Sequence, residues 1–176
     1  MARPMHDVVV MLCEEVRQSL GIDMLRYVEV GVDEGQTLVQ VLTRCDFLLA
    51  TAVDCWMEDP AHETTARAAL APFGNRVVIR VGLSVEVAAQ SAKQSQHVVL
   101  VDAAHDYTSV AADLSAWWPI VAPGGLMCTH DYNRSRRRKL ENVVRAVDEF
   151  AAKIALPVEL YACSGKLACI RKPRNV

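Results

Sequence analysis

Two acid–histidine pairs stand out in the sequence because each follows an apolar run. Asp102 and His105 come after the run HVVLV, and His130 and Asp131 come after GGLMCT. Such a run is typical of a buried strand, whose end is a place where polar side chains meet solvent. Carboxylates bind cations, and imidazole accepts a proton near neutral pH. The spacing therefore predicts proton transfer or metal binding at two strand ends.

The carboxylates of Asp102 and Asp131 are expected to converge if their two strands are neighbours. Facing carboxylates repel each other unless a proton or a cation lies between them. A divalent metal with oxygen ligands is the ready solution at an open strand edge. The alternative is that the acids are solvated separately and cap the following helices, since Asp102 and Asp106 both precede a predicted helix.

A glycine turn after the first predicted strand is the second candidate site. The segment EVGVDEG contains Gly31 and Gly35, and Asp54 ends the next predicted strand. Glycine lets the backbone approach a ligand closely, and an acid at Asp54 can accept hydrogen bonds from a ribose diol. The spacing is not G-x-G-x-x-G, and the sequence lacks the phosphate-binding G-x-x-x-x-G-K-[ST] motif. The turn indicates an adenosine-like ligand or, alternatively, an ordinary helix start.

The elements that must position these residues alternate between strand and helix. Strands are predicted at 27–30, 47–54, 75–82, 97–102 and, after a Pro-Gly-Gly turn, 124–131, with a final hairpin of 156–163 and 166–172. Helices are predicted at 5–20, 35–45, 60–70 with Asp59 as N-cap, 84–94 with Ser84 as a cap, 106–118 and 142–154. The order predicts an α/β fold: a doubly wound, Rossmann-like, mostly parallel seven-stranded sheet with a C-terminal antiparallel hairpin and helices on both faces. Such sheets bind ligands at the carboxyl ends of their strands, where the candidate residues lie.

Composition limits the class of protein. A length of 176 residues favours one domain, 1–176, with an N-terminal helix in 1–21 and a core over 25–172. The net charge of −2 argues against a nucleic-acid partner. The apolar run VVVMLC is too short for a membrane span or a signal peptide. Six cysteines without a C-x-x-C motif are expected to be buried free thiols, so we expect a cytoplasmic protein with no membrane partner.

The motifs along the chain resemble those of a known enzyme family. They are E-x-G-x-x-x-G, an acid after the second strand, G-x-S, D-x-x-H-x-Y, D-L-x-x-W-x-P-x-x-x-P-G-G and H-D-Y. Over residues 25–170 the sequence is similar to class I S-adenosylmethionine-dependent methyltransferases, in the branch of macrolide-sugar O-methyltransferases and cephalosporin-hydroxylase-like proteins. The resemblance implies S-adenosylmethionine as cofactor and methyl transfer to a hydroxyl group of a small molecule.

The resemblance also implies which residues bind the cofactor. The glycine turn would hold its methionyl part, the acid after the second strand its ribose, and the G-x-S segment its adenine. Trp56 would pack near the adenine or, equally, in the core, and Asp33 departs from the glycine of many methyltransferases at that position. The implied cofactor residues are Glu29, Gly31, Gly35, Asp54, Trp56, Gly82, Ser84 and Asp102.

A divalent metal held by Asp102, His130 and Asp131 is a further implication. The resembling sugar methyltransferases carry three acids at the matching positions and bind Mg²⁺, so His130 is a departure. Imidazole favours Mn²⁺, Fe²⁺, Zn²⁺ or Ni²⁺ over Mg²⁺. His130 is alternatively a second base or no ligand.

Catalysis is assigned to Asp102 and His105 on this interpretation. A bound cation lowers the pKa of a substrate hydroxyl, and His105 is the candidate base that removes its proton. His105 is alternatively a surface residue that caps a helix.

Two rival functions remain open at the level of the sequence. A metal-dependent hydrolase would use both acid–histidine pairs as ligands, and a methyltransferase-like protein without turnover would only bind the cofactor. The basic run at 134–139 is a solvated loop or an electropositive lid over the site. An open site could also be closed by a partner subunit, which would make the protein a homo-oligomer.

Overall fold

The computed structural model of the chain describes residues 3–132 and 138–174, except for the side chains of residues 138–140. The helices are α1 Met5–Leu20, α2 Gln36–Arg44, α3 Pro60–Leu70, α4 Ser84–Ala89, α5 Tyr107–Trp117 and α6 Arg138–Ile154. The strands are β1 Leu25–Val30, β2 Leu48–Asp54, β3 Val77–Val81, β4 Gln96–Val101, β5 Val121–Thr129, β6 Glu159–Tyr161 and β7 Leu167–Arg171. Short 3-10 helices follow α3 at Ala71–Arg76 and α5 at Trp118–Ile120.

All seven strands form a single sheet in the order β3-β2-β1-β4-β5-β7-β6. The strands β1 to β5 pair in parallel, whereas β7 runs antiparallel to both β5 and β6. The chain moves outward from β1 to β3 and then returns to β4 on the other side of β1, which is the doubly wound topology. The structure therefore confirms the predicted fold, including the C-terminal hairpin.

Helices cover both faces of the sheet at its centre, so β4 and β5 are buried along most of their length, whereas β3 at the edge is partly exposed. Alternate residues of a strand point to opposite faces, so Tyr27 and Val28 belong to two different cores. The first core lies under α1, α2 and α3, and the second lies under α4, α5 and α6. The central strands are thereby covered on both faces, and their ends are where a ligand can reach them.

Two helix starts follow the expected chemistry. Asp59 is the N-cap of α3, where its carboxylate accepts the N–H of Ala61 at 3.0 Å, and Pro60 is the first helical residue, as predicted. Asp106 caps α5 in the same way and accepts the N–H of Ser109 at 3.0 Å.

The cap predicted for α4 is wrong. Leu83 occupies the N-cap position, and Ser84 is already inside the helix. The hydroxyl of Ser84 instead accepts the indole N–H of Trp117 at 2.8 Å, so it joins α4 to α5. The helix also ends at Ala89, five residues earlier than predicted.

The segment Pro-Gly-Gly is also different from the prediction, since it lies inside β5 and does not form a turn before it. Gln96 pairs with Val121 and Val98 pairs with Leu126, so β5 has three extra residues at this point. A Cβ at Gly125 would lie 2.4 Å from the carbonyl oxygen of His97, so glycine is required where the bulge crosses β4.

The basic run at 134–139 lies mostly outside the described residues. Residues 134–137 are not described, and residues 138 and 139 are described only as backbone at the start of α6. The two interpretations of this run therefore stay predictions.

A search of residues 3–132 and 138–174 for membrane-crossing segments finds no helix that is both long and apolar enough.

Candidate active site

The strand ends that carry the candidate residues form one continuous edge. Beyond the regular strand pairing, the first residues after β1, β4 and β5 still donate their N–H groups to the neighbouring strand. These hydrogen bonds run from Gly31 to Val53 at 2.9 Å, from Asp102 to Val30 at 2.8 Å and from His130 to Val101 at 3.1 Å. The structure therefore brings the glycine turn and both acid–histidine pairs to the same edge, as the sequence predicted.

Gly31 is the closest point between the two candidate sites. Its φ is +86°, and a Cβ at this position would lie 2.2 Å from the carbonyl oxygen of Asp102. A larger residue would be strained and would also push the end of β1 away from the end of β4. The absence of a side chain at Gly31 thus lets the backbone of the glycine turn contact the backbone of Asp102 in the acid–histidine cluster.

Asp54 holds the glycine turn through main-chain hydrogen bonds. Its Oδ2 accepts the N–H groups of Val32 at 2.8 Å and Asp33 at 2.9 Å, and its Oδ1 accepts the N–H of Trp56 at 2.9 Å. A carboxylate has about four lone-pair sites, so about one remains free for a ribose hydroxyl. Asp54 therefore fits the predicted cofactor role, and it shapes the turn as well.

Trp56 supports this turn from the core. Its side chain is 4% exposed, and its indole N–H donates to the carbonyl oxygen of Asp33 at 2.8 Å. Of the two predicted alternatives for Trp56, the structure presents core packing beneath the turn.

The other predicted cofactor residues lie around the same edge. Gly35 is the N-cap of α2 with a φ of +83°, and Gly82 follows β3 and donates its N–H to the carbonyl of Asp54 at 3.0 Å. Ser84 lies next to them, although its hydroxyl is engaged by Trp117. Their contacts with a cofactor stay predictions.

Glu29 is the most buried acid of the site, with 2% of its surface exposed. The hydroxyl of Tyr27 donates to its carboxylate at 2.9 Å. Burial raises the pKa of Glu29 to about 8; the Tyr27 hydrogen bond opposes this rise, and the nearby charge of Asp102 adds to it. A bound ammonium group would favour the ionised form, so Glu29 fits the methionyl end of the cofactor.

Asp102, His105 and Asp131 form the acid–histidine cluster. One ligand atom from each lies within 4.8 Å of the others, and Nε2 of His105 is 2.8 Å from Oδ2 of Asp131. Neighbouring ligands of an octahedral cation lie about 3 Å apart when each is about 2.1 Å from the ion. Two carboxylates and one imidazole with this spacing fit a divalent cation, and they also fit a histidine base oriented by an acid.

His130 lies between Asp102 and the turn that precedes β7. Its Nδ1 lies 3.0 Å from Oδ1 of Asp102, and its Nε2 lies 2.7 Å from the carbonyl oxygen of Ser164. Burial lowers the pKa of His130, but its hydrogen bond to Asp102, the charge of Asp102, the Ser164 carbonyl and Asp131 together raise it to about 9. A ring that donates from both nitrogens has no lone pair for a metal, whereas a neutral ring has one. The three ligand atoms that lie within 4.8 Å of one another include a nitrogen of His105, and the metal-ligand role of His130 stays a prediction.

The sequence interpretation missed the turn between β6 and β7 as part of this site. Ser164 contacts His130, and a Cβ at Gly165 would lie only 2.4 Å from Oδ1 of Asp131. The predicted hairpin contained a signal for this turn. If its second strand pairs antiparallel with β5, that strand must begin where β5 ends, and the turn before it must lie beside the site.

Comparison with known proteins gives one family match. The profile of a family described as "Methyltransferase domain" matches residues 28–132, which is more than half of the chain. No curated protein matches the chain significantly.

Solved structures with the same fold have little sequence identity to the chain. A candidate caffeoyl-CoA O-methyltransferase from Staphylococcus aureus is 17% identical with a TM-score of 0.75, covering 95% of this chain and 82% of that one. An O-methyltransferase from Bacillus cereus in complex with SAH is 16% identical with a TM-score of 0.68, covering 96% and 84%. The CurJ carbon methyltransferase is 12% identical with a TM-score of 0.73, covering 96% of this chain and 54% of its own. Since proteins described as oxygen and carbon methyltransferases both share the fold, the fold alone does not select the acceptor atom.

Proposed function

The chain belongs to the methyltransferase domain family as a class I S-adenosylmethionine-dependent enzyme, and we propose on that premise that it methylates a hydroxyl group of a small molecule with the help of a divalent cation. The observation that carries this proposal is the cluster of Asp102, His105 and Asp131 beside the glycine turn. A methyl group on sulfonium is already electrophilic, so the chemical task left to the protein is to activate the acceptor.

His105 is the proposed base. Nε2 of His105 lies 2.8 Å from Asp131, and in the tautomer with its proton on Nε2 the lone pair on Nδ1 takes the proton of the acceptor hydroxyl. Asp131 also stabilises the imidazolium that forms. Removal of the proton by a positioned base contributes about 10²–10⁴-fold to the rate.

Asp102 and Asp131 are the proposed cation ligands. A divalent cation bound there would lower the pKa of a coordinated hydroxyl and would favour a substrate with a vicinal diol. His105 can act as base only while its accepting nitrogen is not a metal ligand, so the two roles of this residue in the cluster exclude each other.

The remaining acceleration is assigned to alignment. Glu29 and Asp54 would hold the two ends of S-adenosylmethionine, and Gly31 brings their turn against Asp102. Holding the acceptor oxygen in line with the methyl group and the sulfur removes most of the entropy cost of the encounter.

A radiometric assay with methyl-labelled S-adenosylmethionine tests the proposal. We expect transfer to vicinal diols such as catechol or sugar diols, loss of transfer with EDTA, and recovery with Mg²⁺ or Mn²⁺. Transfer that is unaffected by EDTA would exclude the cation. Binding of S-adenosylhomocysteine without transfer to any acceptor would favour the cofactor-binding protein without turnover.

The hydrolase alternative predicts a different thermal response. A hydrolase would be stabilised by metal and not by S-adenosylhomocysteine, whereas a methyltransferase gains stability from the nucleoside product. The family assignment supports the second outcome.

We also propose a reducing, cytoplasmic location and a homo-oligomeric assembly. All six cysteines are free, and five of them are buried, which is typical of proteins that remain reduced. Fractionation of the native host and light scattering of the purified protein test these two proposals.

A further inference from the structure

The turn between β6 and β7 lies at the same edge as the acid–histidine cluster. In the antiparallel pairing of β5 with β7, Thr129 at the end of β5 is opposite Ala168 near the start of β7. The residues just before β7, 163–166, must therefore lie beside the residues just after β5. These four residues are called the clamp turn below.

The clamp turn contacts His130 through its main chain. The carbonyl oxygen of Ser164 lies 2.7 Å from Nε2 of His130, and Nδ1 of the same ring lies 3.0 Å from Asp102. The imidazole therefore connects a main-chain carbonyl of the turn to a carboxylate of the cluster. With both nitrogens engaged, the ring has one defined orientation, and this orientation fixes one oxygen of Asp102.

Gly165 lies against Asp131 and leaves no room for a side chain of its own. Its φ is +84°, and a Cβ would lie 2.4 Å from Oδ1 of Asp131 and 2.6 Å from Nε2 of His130. Asp131 itself has a φ of +57°, a left-handed conformation that is uncommon for residues other than glycine. Its other oxygen holds His105, so the turn backbone supports the acid that orients the proposed base.

The clamp turn is itself held at both ends. The N–H of Ser164 donates to the carbonyl of Arg3 at 2.9 Å, and the carbonyl of Lys166 accepts the N–H of Tyr132 at 3.2 Å. These bonds tie the turn to the start of the chain and to the residue that follows Asp131. A turn fixed in this way can hold side chains in place without moving with them.

We propose that the clamp turn is a positioning element of the active site and that His130 is a positioning residue that acts through Asp102. The roles of Asp102 and His105 in this inference rest on the proposed function. Substitutions in the turn or at His130 should therefore impair the use of the cation and the rate of transfer, while leaving the binding of S-adenosylmethionine unchanged.

The principal test compares Gly165→Ala with Gly21→Ala. Gly21 ends α1 with a φ of +64°, and a Cβ there would have no atom of the described residues within 4 Å, so its substitution introduces similar backbone strain in open space. We expect Gly165→Ala to lower kcat and weaken Mn²⁺ binding, each by about 10-fold, with KM for S-adenosylmethionine unchanged. Gly21→Ala should have the wild-type kcat, Mn²⁺ affinity and KM for S-adenosylmethionine. Its melting temperature should decrease by about as much as that of Gly165→Ala. Equal values of kcat and Mn²⁺ affinity in the two variants would overturn the inference.

A pair of substitutions at His130 provides a second test, which also serves if Gly165→Ala does not fold. His130→Asn keeps an amide N–H near the position of Nδ1 and can still donate to Asp102, whereas His130→Leu removes both donors. We expect Asn to retain most of the wild-type kcat and Leu to lose about 10- to 100-fold. Equal loss in both variants would contradict action through Asp102.

Failure of the proposed function gives a different result. A wild-type protein that neither binds Mn²⁺ in calorimetry nor transfers methyl groups would refute the proposed function. Crystal structures of the two glycine variants would then decide the positioning inference alone. If the clamp turn positions the site, the 2.8 Å contact between His105 and Asp131 lengthens in Gly165→Ala and persists in Gly21→Ala. Persistence of this contact in both variants would overturn the positioning inference.

Discussion

The two halves of the candidate site are held in place by different kinds of group. In the cofactor half, formed by Glu29, the glycine turn and Asp54, main-chain N–H groups surround the carboxylate of Asp54. In the acid–histidine half, side chains hold one another, as His105 holds Asp131 and His130 holds Asp102. A half built on main-chain hydrogen bonds keeps its shape as long as the fold is intact. A half built on side-chain pairs depends on every member and on the clamp turn that orients them.

The difference predicts that substitutions will separate into two classes. Changes in the cofactor half should alter the affinity for S-adenosylmethionine without changing the affinity for the cation. Changes in the acid–histidine half should alter turnover and cation binding without changing the affinity for S-adenosylmethionine. Variants that affect both halves equally would show that the halves are one unit.

His105→Ala is the change with the largest expected effect. Loss of the proposed base should lower kcat by about 10²–10⁴-fold, because the acceptor proton has no positioned acceptor. Calorimetry should give an unchanged Kd for S-adenosylmethionine and, if His105 is a base and not a ligand, a nearly unchanged Kd for Mn²⁺. His6→Ala on α1 is the matched control and should retain full activity. A His105→Ala enzyme with normal turnover would remove His105 from the mechanism.

Asp54→Ala should have the next largest effect and act on the other half. The substitution removes the acceptor of three main-chain N–H groups, so the glycine turn loses its shape and the ribose loses its partner. We expect the Kd for S-adenosylhomocysteine to rise by about 10- to 100-fold in calorimetry, with Mn²⁺ affinity unchanged. Asp54→Asn retains one acceptor oxygen, so its Kd for S-adenosylhomocysteine should lie between those of the wild type and Asp54→Ala. A parallel loss of Mn²⁺ affinity would contradict the separation of the halves.

Glu29→Gln should raise the stability of the protein at neutral pH. Burial raises the pKa of Glu29 to about 8, above its ordinary value of 4.5. The unfolded chain therefore releases this proton at lower pH than the folded chain, and stability decreases as the pH rises from about 4.5 to about 8. Glutamine is neutral throughout and can still accept the Tyr27 hydrogen bond, so it should add about 3 kcal/mol at pH 7.

Urea denaturation of both proteins at several pH values measures this difference. The two stability curves should coincide near pH 4 and diverge towards pH 8. A constant difference across that range would show that Glu29 is ionised in the folded protein.

Asp106→Ala is the smallest expected effect, because it changes only a helix cap next to the acid–histidine half. Loss of the hydrogen bond to the N–H of Ser109 should cost about 1 kcal/mol. Hydrogen bonds from Ser109 lower the pKa of Asp106, so its contribution is present above the unfolded pKa and is lost as the pH falls through the folded value. Asp106→Asn should retain the cap and show no such acid dependence in thermal unfolding. Unchanged stability in the alanine variant would mean that water replaces the cap.

The architecture was largely predictable because its signals are local. Apolar runs bounded by polar residues gave the strands, and strand ends carrying acids gave the edge that binds ligands. The predicted turn before the fifth strand was wrong because the same local sequence can form either a turn or a bulge. Pro-Gly-Gly usually forms a turn, but here the same freedom of glycine is used for a bulge within β5.

The partners of the site residues were harder to predict than their positions. Asp102, His105, His130 and Asp131 were all expected at one edge, and they are all there. Which imidazole faces which carboxylate depends on side-chain rotamers and on a turn more than 30 residues further along the chain. A single sequence has no periodic pattern that reports such a contact.

The missing side chain at Gly31 has a consequence for substrate selection. Because the backbone after β1 rests directly on the backbone after β4, the sheet would set one fixed separation between the methyl donor and the base of the proposed function, which we place at the ends of these two strands. Acceptor molecules of different size cannot be accommodated by sliding these strands apart. Any breadth in the range of acceptors has to come from the segments that lie above the sheet, and exchanging those segments between relatives is the rational route to a new specificity.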